Sequence, residues 1–441
     1  MTGFSSQTLL HEIARLPRHR RILVAYSGGC DSTVLLHALA SLKDQLECEL
    51  WAIHVDHGLQ VDSTQWAEHC RSTANALGAQ FYSCRVNAQA MHGESREAAA
   101  RHVRYAALRG FLETGDLLLT AHHQDDQAET ILLQLLRGAG ARGAAGIAPF
   151  ESFGQGWLAR PLLGFSRQEL RFYAQHYDLF WIDDPSNFDT SFERNFLRQE
   201  VMPSLLRRWP GASVTLARTA EHQREAAQLL AELAAQDLEA VRHADGVTLS
   251  VSRLSELNAA RQRNVLRHWL REHKLATPSA AQLQHVQVDV VGARQDRTPI
   301  VRWSGVEVRR YRDQLYAMTP LPFHDEGAIY DWDLSRELPL SALGKLGARA
   351  VLGQGVGRAS LQNNSVTVRF RRGGEQCRPS GQAHHRELKK LFQERGIAPW
   401  QRDRVPLLYV GDQLAAVVGY WICEPFAAQS DEQGYVVEWL N

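Results

Sequence analysis

Ser27-Gly28-Gly29-Cys30-Asp31-Ser32 sits between two apolar runs of different character. Before it, Ile22-Leu23-Val24-Ala25-Tyr26 reads as a buried strand. After it, Thr33-Val34-Leu35-Leu36-His37-Ala38-Leu39 is long enough to open a helix. A strand, a glycine turn and a helix start make a cradle for phosphate. The two glycines let backbone approach an anion with no Cβ in the way. The helix start offers unpaired N–H groups and about half a positive charge, and Ser27 and Ser32 add hydroxyls. Asp31 would repel phosphate unless a divalent cation stood between them, which points to Mg²⁺ held partly by Asp31. The segment lacks the Gly-Lys-Ser/Thr ending of the usual P-loop.

Strand and helix signals alternate through the first 200 residues. Strands are expected at Ile22–Tyr26, Glu49–Val55, Gln80–Val86 and Asp116–Ala121, and helices at about Thr33–Leu42, Ser63–Leu77, Ser95–Thr114 and Asp125–Arg137. Such alternation predicts an α/β domain with a parallel sheet covered on both faces. Right-handed crossovers then bring the strand C-termini to one edge, where ligands bind. Ser27, Asp56 and His122 each follow a strand, so they are expected to meet there. The glycine-rich run Gly138–Gly146 reads as a flexible loop and a candidate lid.

At 441 residues the chain is too long for one compact core. We expect a catalytic α/β domain at 1–210, a mainly helical middle domain at 211–320 and a small α+β domain at 321–441, with Pro320-Leu321-Pro322 as a boundary. The middle domain should open on a long helix at Gly211–Arg242, then Leu254–His273 as helix and Ile300–Leu315 as hairpin-like strands. The last should carry strands at Val366–Phe370, Leu407–Val410 and Gln413–Val418 and a helix at His384–Arg395. No apolar stretch approaches 20 residues, so no membrane span is expected. Six scattered cysteines contain no Cys-x-x-Cys pair, which argues against a structural zinc or a redox dithiol and fits a reducing cytoplasm. Net charge is zero, but Arg369–Arg404 holds ten Lys or Arg against four Asp or Glu. Arg261, Arg263, Arg267 and Arg271 recur at helical spacing in a second basic stretch. Two such regions outside a nucleotide-binding domain favour an RNA partner over simple solvated faces.

The hexapeptide resembles the pyrophosphate loop of the PP-loop (adenine nucleotide α-hydrolase-like) ATP-pyrophosphatases, which split ATP between its α and β phosphates. Three further segments resemble the tRNA(Ile)-lysidine synthetase family: Ala121-His122-His123-Gln124-Asp125-Asp126-Gln127-Ala128-Glu129-Thr130, then Asp184-Pro185-Ser186-Asn187 with Glu193-Arg194-Asn195, and the C-terminal region from about Val368. The likeness covers nearly the whole chain. It implies that ATP with Mg²⁺ adenylates the wobble cytidine in the CAU anticodon of tRNA(Ile), and that L-lysine then displaces AMP to give lysidine. A thiolation or amidation ligase of the same superfamily is the alternative, and an RNA-binding module using the loop only to sense ATP is a rival from another class. Oligomeric state is open, a homodimer included.

The resemblance assigns nucleotide contacts to Ser27, Gly28, Gly29, Cys30, Asp31 and Ser32, with Asp56 near the adenosine. Gln60 stands where the family often has Arg. On a helix, His122, Asp126 and Glu129 share one face. A zinc site or a polar cap would use similar residues, but no third metal ligand is evident. The family makes His122 and Asp126 catalytic and sets Glu129 against the lysine substrate, while the sequence cannot separate Asp125 from Asp126. The lysine amine is almost wholly protonated at neutral pH, so a base is useful, and His122 with Asp126 is the natural candidate. Arg101 would hold the lysine carboxylate, unless it only pairs with Glu97 on its own helix. A guanidinium at Arg194 reaching the phosphates would stabilise transition-state charge. Arg371, Arg372, Arg378, Lys389, Lys390, Arg402 and Arg404, with Trp400 nearby, form the expected RNA surface. His384 and His385 are adjacent and would diverge on a helix, so they are not read as a metal pair.

Overall fold

The computed structural model describes residues 3–56, 63–87, 96–294, 297–362 and 364–440. The chain divides into two compact units, Met1–Leu230 and Ala231–Asn441. The first opens with α1 (Ser6–Ala14), β1 (Arg21–Ala25), α2 (Cys30–Ala40), β2 (Glu49–Asp56), α3 (Ser63–Ala76), β3 (Gln80–Arg85), α4 (Arg96–Phe111) and β4 (Asp116–Leu119). It continues through α5 (Gln124–Leu136), α6 (Ala141–Ala144), β5 (Phe150–Phe153), β6 (Gly156–Ala159), α7 (Arg167–His176), α8 (Glu193–Phe196), α9 (Met202–Arg208) and α10 (Ala212–Val241), whose last turns enter the second unit. A π-helical stretch, Leu197–Val201, links α8 to α9.

The strands form one sheet in the order β3-β2-β1-β4-β6-β5. All pairs are parallel except the β5–β6 edge. Strand alternation sends Ile22, Val24, Leu117 and Leu119 into one core with Val34, Leu35, Leu36 and Leu39 of α2. Leu23, Ile53 and Leu118 enter another with Leu108 of α4 and Leu112 just beyond it. Burial on both faces explains why these strands read as continuous apolar runs. Truncating a wholly buried leucine such as Leu118 to alanine should cost about 2–5 kcal/mol. The strand order reverses between β1 and β4, so the loops after these two strands open on one crevice, the ligand position in open α/β sheets.

In the second unit a four-stranded antiparallel sheet, Leu249–Ser250, Gln314–Met318, Val306–Tyr311 and Ile300–Trp303 in that order, packs with helices Val251–Glu256 and Ala259–Glu272 around Trp269. The expected Leu254–His273 helix is therefore two helices. Asn258 divides them, because its side chain accepts the Ala260 and Arg261 N–H groups and caps the second. The C-terminal part holds an antiparallel five-stranded sheet including Val366–Arg369, Leu407–Val410 and Gln413–Val417, and a four-stranded one built on Lys345–Leu352 against Gln433–Leu440. Its helix starts at Leu388, leaving His384 and His385 exposed ahead of it. Cys377 and Cys423 are joined as a disulfide, their Cα atoms 5.5 Å apart. Their separation of 46 positions conceals that pairing in the sequence. No helix among the described residues is long and apolar enough to cross a membrane.

Candidate active site

The turn from β1 to α2 takes the expected cradle form. Gly28 adopts φ +81°, a conformation that favours glycine, and a Cβ there would lie 2.8 Å from Cys70 Sγ of α3. Gly29 caps α2 with no side-chain hydrogen bond, so the first-turn N–H groups face the crevice uncapped. The loop is braced from within. Ser27 Oγ accepts from Gly29 N at 3.3 Å and lies 3.1 Å from Ser32 Oγ, while the Ser32 and Thr33 hydroxyls donate to Gly29 O. Ile182 N donates to Gly28 O at 2.9 Å and ties down the far side. Burial and the adjacent Asp31 push the Cys30 thiol up to about 11, so it stays protonated. Asp31 Oδ1 is buried with no hydrogen-bond partner. An orphaned carboxylate oxygen beside uncapped N–H groups fits a cation shared with phosphate oxygens. Among the described residues no three acidic, His or Cys side chains converge to hold a metal without such help.

Across the crevice, two arginines grip two carboxylates. Asp126 Oδ1 accepts from Arg194 Nη2 at 2.9 Å and from Arg198 Nη2 at 3.0 Å. Glu129 Oε2 accepts from Arg194 Nε at 2.8 Å and Arg198 Nη2 at 2.9 Å, and Oε1 from Arg198 Nε at 2.7 Å. The geometry follows from two helical spacings. Asp126 and Glu129 are three apart on α5, and Arg194 and Arg198 four apart on the opposing segment, so each pair presents one face. On its outer side that segment is clamped to the Asp184-Pro185-Ser186-Asn187 turn. Asn195 Nδ2 donates to Ser186 O and Asp189 O, and Gln199 Nε2 to Asn187 O. Burial opposes a charged Asp126, but His123, Arg194, His122 and Arg198 together hold its carboxyl well below the usual range.

Between these two regions runs the loop from β4 to α5. His122 precedes α5 instead of riding on it, so it does not share the helical face of Asp126 and Glu129; His123 is the N-cap, and its backbone N–H donates to Asp126 Oδ2 at 3.0 Å. His122 Nδ1 lies 2.8 Å from Thr120 Oγ1. Burial lowers the His122 imidazole to about 3 against the pull of Asp126, and the positive fields of Arg101, Arg194 and Arg160 add to the drop. His123 Nε2 is 3.5 Å from Asp31 Oδ2 and equally far from Asp126 Oδ2. Although burial opposes a charged ring there, the surrounding aspartates lift His123 above the ordinary histidine range. Asp125 faces elsewhere: it accepts the Arg167 N–H at 2.8 Å and the Ser213 hydroxyl at 2.8 Å. Geometry thus separates the two adjacent aspartates, one fastening α7 and α10, the other meeting the arginines.

Asp56 ends β2, with Oδ2 3.6 Å from Arg85 Nε. Arg101 is exposed and lies over the Tyr105 ring, 4.9 Å from its centroid. His57–Gln60 and the Glu97 side chain lie outside the described residues. The glycine-rich candidate lid is pinned at its end. Ile147 N donates to Gln127 Oε1 at 2.6 Å, Gln127 Nε2 returns a bond to Ile147 O, and Arg224 holds Ala145 O and Ile147 O. Sequence reasoning missed Arg198 and Thr120. The repeat of Arg194 at i+4 was the available signal for Arg198; nothing marked Thr120. In the C-terminal basic run, Lys389 and Lys390 are exposed, but Arg402 is buried, donating to Ile397 O and the Tyr311 hydroxyl. It is a packing residue and not a phosphate contact. Arg371 pairs with Asp403, and Arg404 donates to Pro322 O.

Family models match three stretches: a PP-loop domain at residues 4–205, the TilS substrate binding domain at 249–316 and the TilS substrate C-terminal domain at 366–439. The chain is 43% identical over 436 residues to the tRNA(Ile)-lysidine synthase of Coxiella burnetii, covering 99% of this chain and 96% of the relative. It is 44% identical over 429 residues to that of Alkalilimnicola ehrlichii, covering 96% and 95%. It is 40% identical over 418 residues to that of Methylococcus capsulatus, covering 94% and 95%.

Proposed function

The chain belongs to the tRNA(Ile)-lysidine synthase family, and we propose that its crevice adenylates the wobble cytidine of tRNA(Ile) with ATP and then joins L-lysine to C2. The near full-length likeness does not favour a thiolation or amidation ligase. The observation that carries the division of labour is the pairing of an uncapped helix start, bearing an orphaned carboxylate, with a buried arginine–carboxylate cluster across one sheet crevice.

In this reading residues 27–32 hold the ATP phosphates, with Asp56 toward the adenosine. Mg²⁺, when bound, would be held by Asp31 Oδ1 together with phosphate oxygens and would offset their charge. The cytidine O2 attacks the α-phosphorus, the bond to the β-phosphate oxygen breaks and pyrophosphate leaves. Arg194 and Arg198 keep Asp126 ionised and hold both Asp126 and Glu129 in position. Glu129 retains one lone-pair site on Oε1 once its three arginine bonds are counted, enough to accept the lysine ammonium. Arg101 takes the lysine carboxylate. The anticodon base must leave its stack to reach the crevice, which a single-stranded CAU loop allows. Exposed Lys389 and Lys390 and half-buried Arg378 would serve the tRNA backbone. The protein acts in the cytoplasm, where its tRNA substrate resides.

The test is pyrophosphate release measured with lysine and a panel of tRNAs. Release should require a tRNA(Ile) with a CAU anticodon, and lysidine should appear only when lysine is added. Release without tRNA, or with another amino acid incorporated, would overturn the reading.

A further inference from the structure

The geometry points to His122 as a hydrogen-bond donor through Nε2–H, with Thr120 as the positioning residue that fixes this tautomer. The inference rests on the reaction proposed above and replaces the base role that chemistry alone suggested for His122. Thr120 is buried at the end of β4, its backbone N–H held by Ala159 O. A threonine hydroxyl has one proton to give. Among the described residues, the Thr120 hydroxyl makes one hydrogen bond, to His122 Nδ1 at 2.8 Å. If Nδ1 carried the proton, Thr120 would accept it and its own O–H would be left without a protein partner among the described residues, which native structures disfavour. The hydroxyl therefore donates to Nδ1, and the ring proton resides on Nε2. Nε2 makes no hydrogen bond among the described residues, and the ring keeps part of its surface exposed.

The surroundings agree with a neutral donor. Asp126 is the carboxylate that pulls most on the ring, and Arg194 and Arg198 already pair with it, while Arg101, Arg194 and Arg160 all disfavour a second ring proton. A ring this resistant to protonation is a poor base at neutral pH, since a general base works best with a pKa near the operating pH. It is a sound electrophile, since it can share its N–H without ionising. In the second step the lysine Nζ–C2 bond forms, the C2–O2 bond breaks, and the electron pair leaves on the oxygen that becomes part of AMP. The surplus ammonium protons pass to solvent. An Nε2–H donor hydrogen-bonds the oxygen that gains charge, with no net proton transfer to His122.

Three measurements on the full-length protein test this. In ¹⁵N-histidine-labelled protein, with His122→Ala used for assignment, the His122 ring should show Nε2–H and bare Nδ1. Thr120→Val should mix the tautomers, and Thr120→Ser should restore one. For lysidine formation at saturating ATP, lysine and tRNA, His122→Gln, whose amide N–H falls near the Nε2 position, should keep about tenfold more rate than His122→Ala. The alanine variant should lose about a hundredfold or more. Thr120→Val should lower kcat about tenfold with KM values unchanged, and Thr120→Ser should recover it. The deficit of His122→Ala should be constant from pH 6 to 8. An Nδ1–H ring in the wild type, or equal rates for the Gln and Ala variants, would overturn the proposal. Wild-type protein that fails to make lysidine would instead overturn the reaction reading, because the tautomer is observed without substrates.

Discussion

The two walls of the crevice handle polar groups in opposite ways. At the phosphate loop, helix α2 starts without a side-chain cap and Asp31 leaves one buried oxygen orphaned. At the arginine cluster, Asp126 and Glu129 are met by both guanidiniums in five contacts of 2.7–3.0 Å. The first wall gives up folding stability to remain ready for an anion and a cation, since unpaired buried polar groups are costly. The second is complete without ligand, so its charges are positioned before substrate arrives and need little reorganisation during reaction. The phosphate wall is left open for ATP, while the arginine wall is closed but for the one Glu129 Oε1 lone pair left to the lysine ammonium.

The largest expected effect should come from opening the closed wall. Arg198→Ala leaves two buried carboxylates with half their partners, and breaking a buried pair in this way costs about 3–5 kcal/mol. Urea unfolding should register it, and Arg198→Lys should not restore it, because an ammonium cannot reproduce the forked contact to both carboxylates. Equal unfolding midpoints for wild type and Arg198→Ala would mean the cluster is not a structural strut.

Next, Glu129→Gln should raise the KM for lysine about tenfold or more, the worth of a charge-assisted contact of ~1.5–3 kcal/mol, with the KM for ATP changed far less. Unchanged lysine saturation would confine Glu129 to bracing the arginines. A smaller effect is expected at the open wall. Gly28→Ala puts a side chain where φ is +81°, a backbone cost of about 1–2 kcal/mol before the contact with Cys70 is counted. Pyrophosphate release should fall about tenfold and the unfolding midpoint should drop by an amount matching that cost, and normal release would show that the loop tolerates a Cβ.

The last effect is spread over several pH units and concerns acid. His122 titrates near 3 in the folded protein and near 6.5 unfolded, so the unfolded chain binds the extra proton between those values. Stability from this group is present above pH 6.5 and drains as pH falls toward 3, by at most ~1.4 kcal/mol per pH unit. Asp126, with its depressed carboxyl, adds a loss of the same sign only below about pH 4. His122→Gln should therefore flatten the stability curve between pH 6.5 and 4 and leave the steeper fall below 4. An unchanged slope between 6.5 and 4 would mean that the imidazole takes up its proton as readily folded as unfolded.

Much of the first unit was legible because its signals are local. Continuous apolar runs betrayed strands buried on both faces, and the glycine turn marked the crevice before any topology was known. The other wall was less legible. The resemblance sets Glu129 against the lysine substrate, but no local pattern tells that α8 folds back 65 residues later to bring Arg194 against it. His122 was placed on the helix by spacing alone, yet the N-cap is His123, and one residue of shift moves His122 off that face. In the C-terminal part, the excess of basic residues was visible but not their burial. Arg402 looks like its neighbours in sequence and differs only in facing Tyr311.

The floor of the phosphate loop is the thiol of Cys70. It is buried, and its surroundings push it up to about 12, so it should be silent toward alkylating reagents while the protein is folded. Its size matters more than its chemistry. Position 28 must be glycine partly because Cys70 fills the space a Cβ would need. Position 70, on α3, therefore shares the loop's restriction. Serine or alanine should be accepted, valine should press the glycine turn toward the nucleotide, and the penalties of changes at 28 and 70 should not add. A survey of tolerated substitutions would find these two positions bound to each other, although 42 residues separate them.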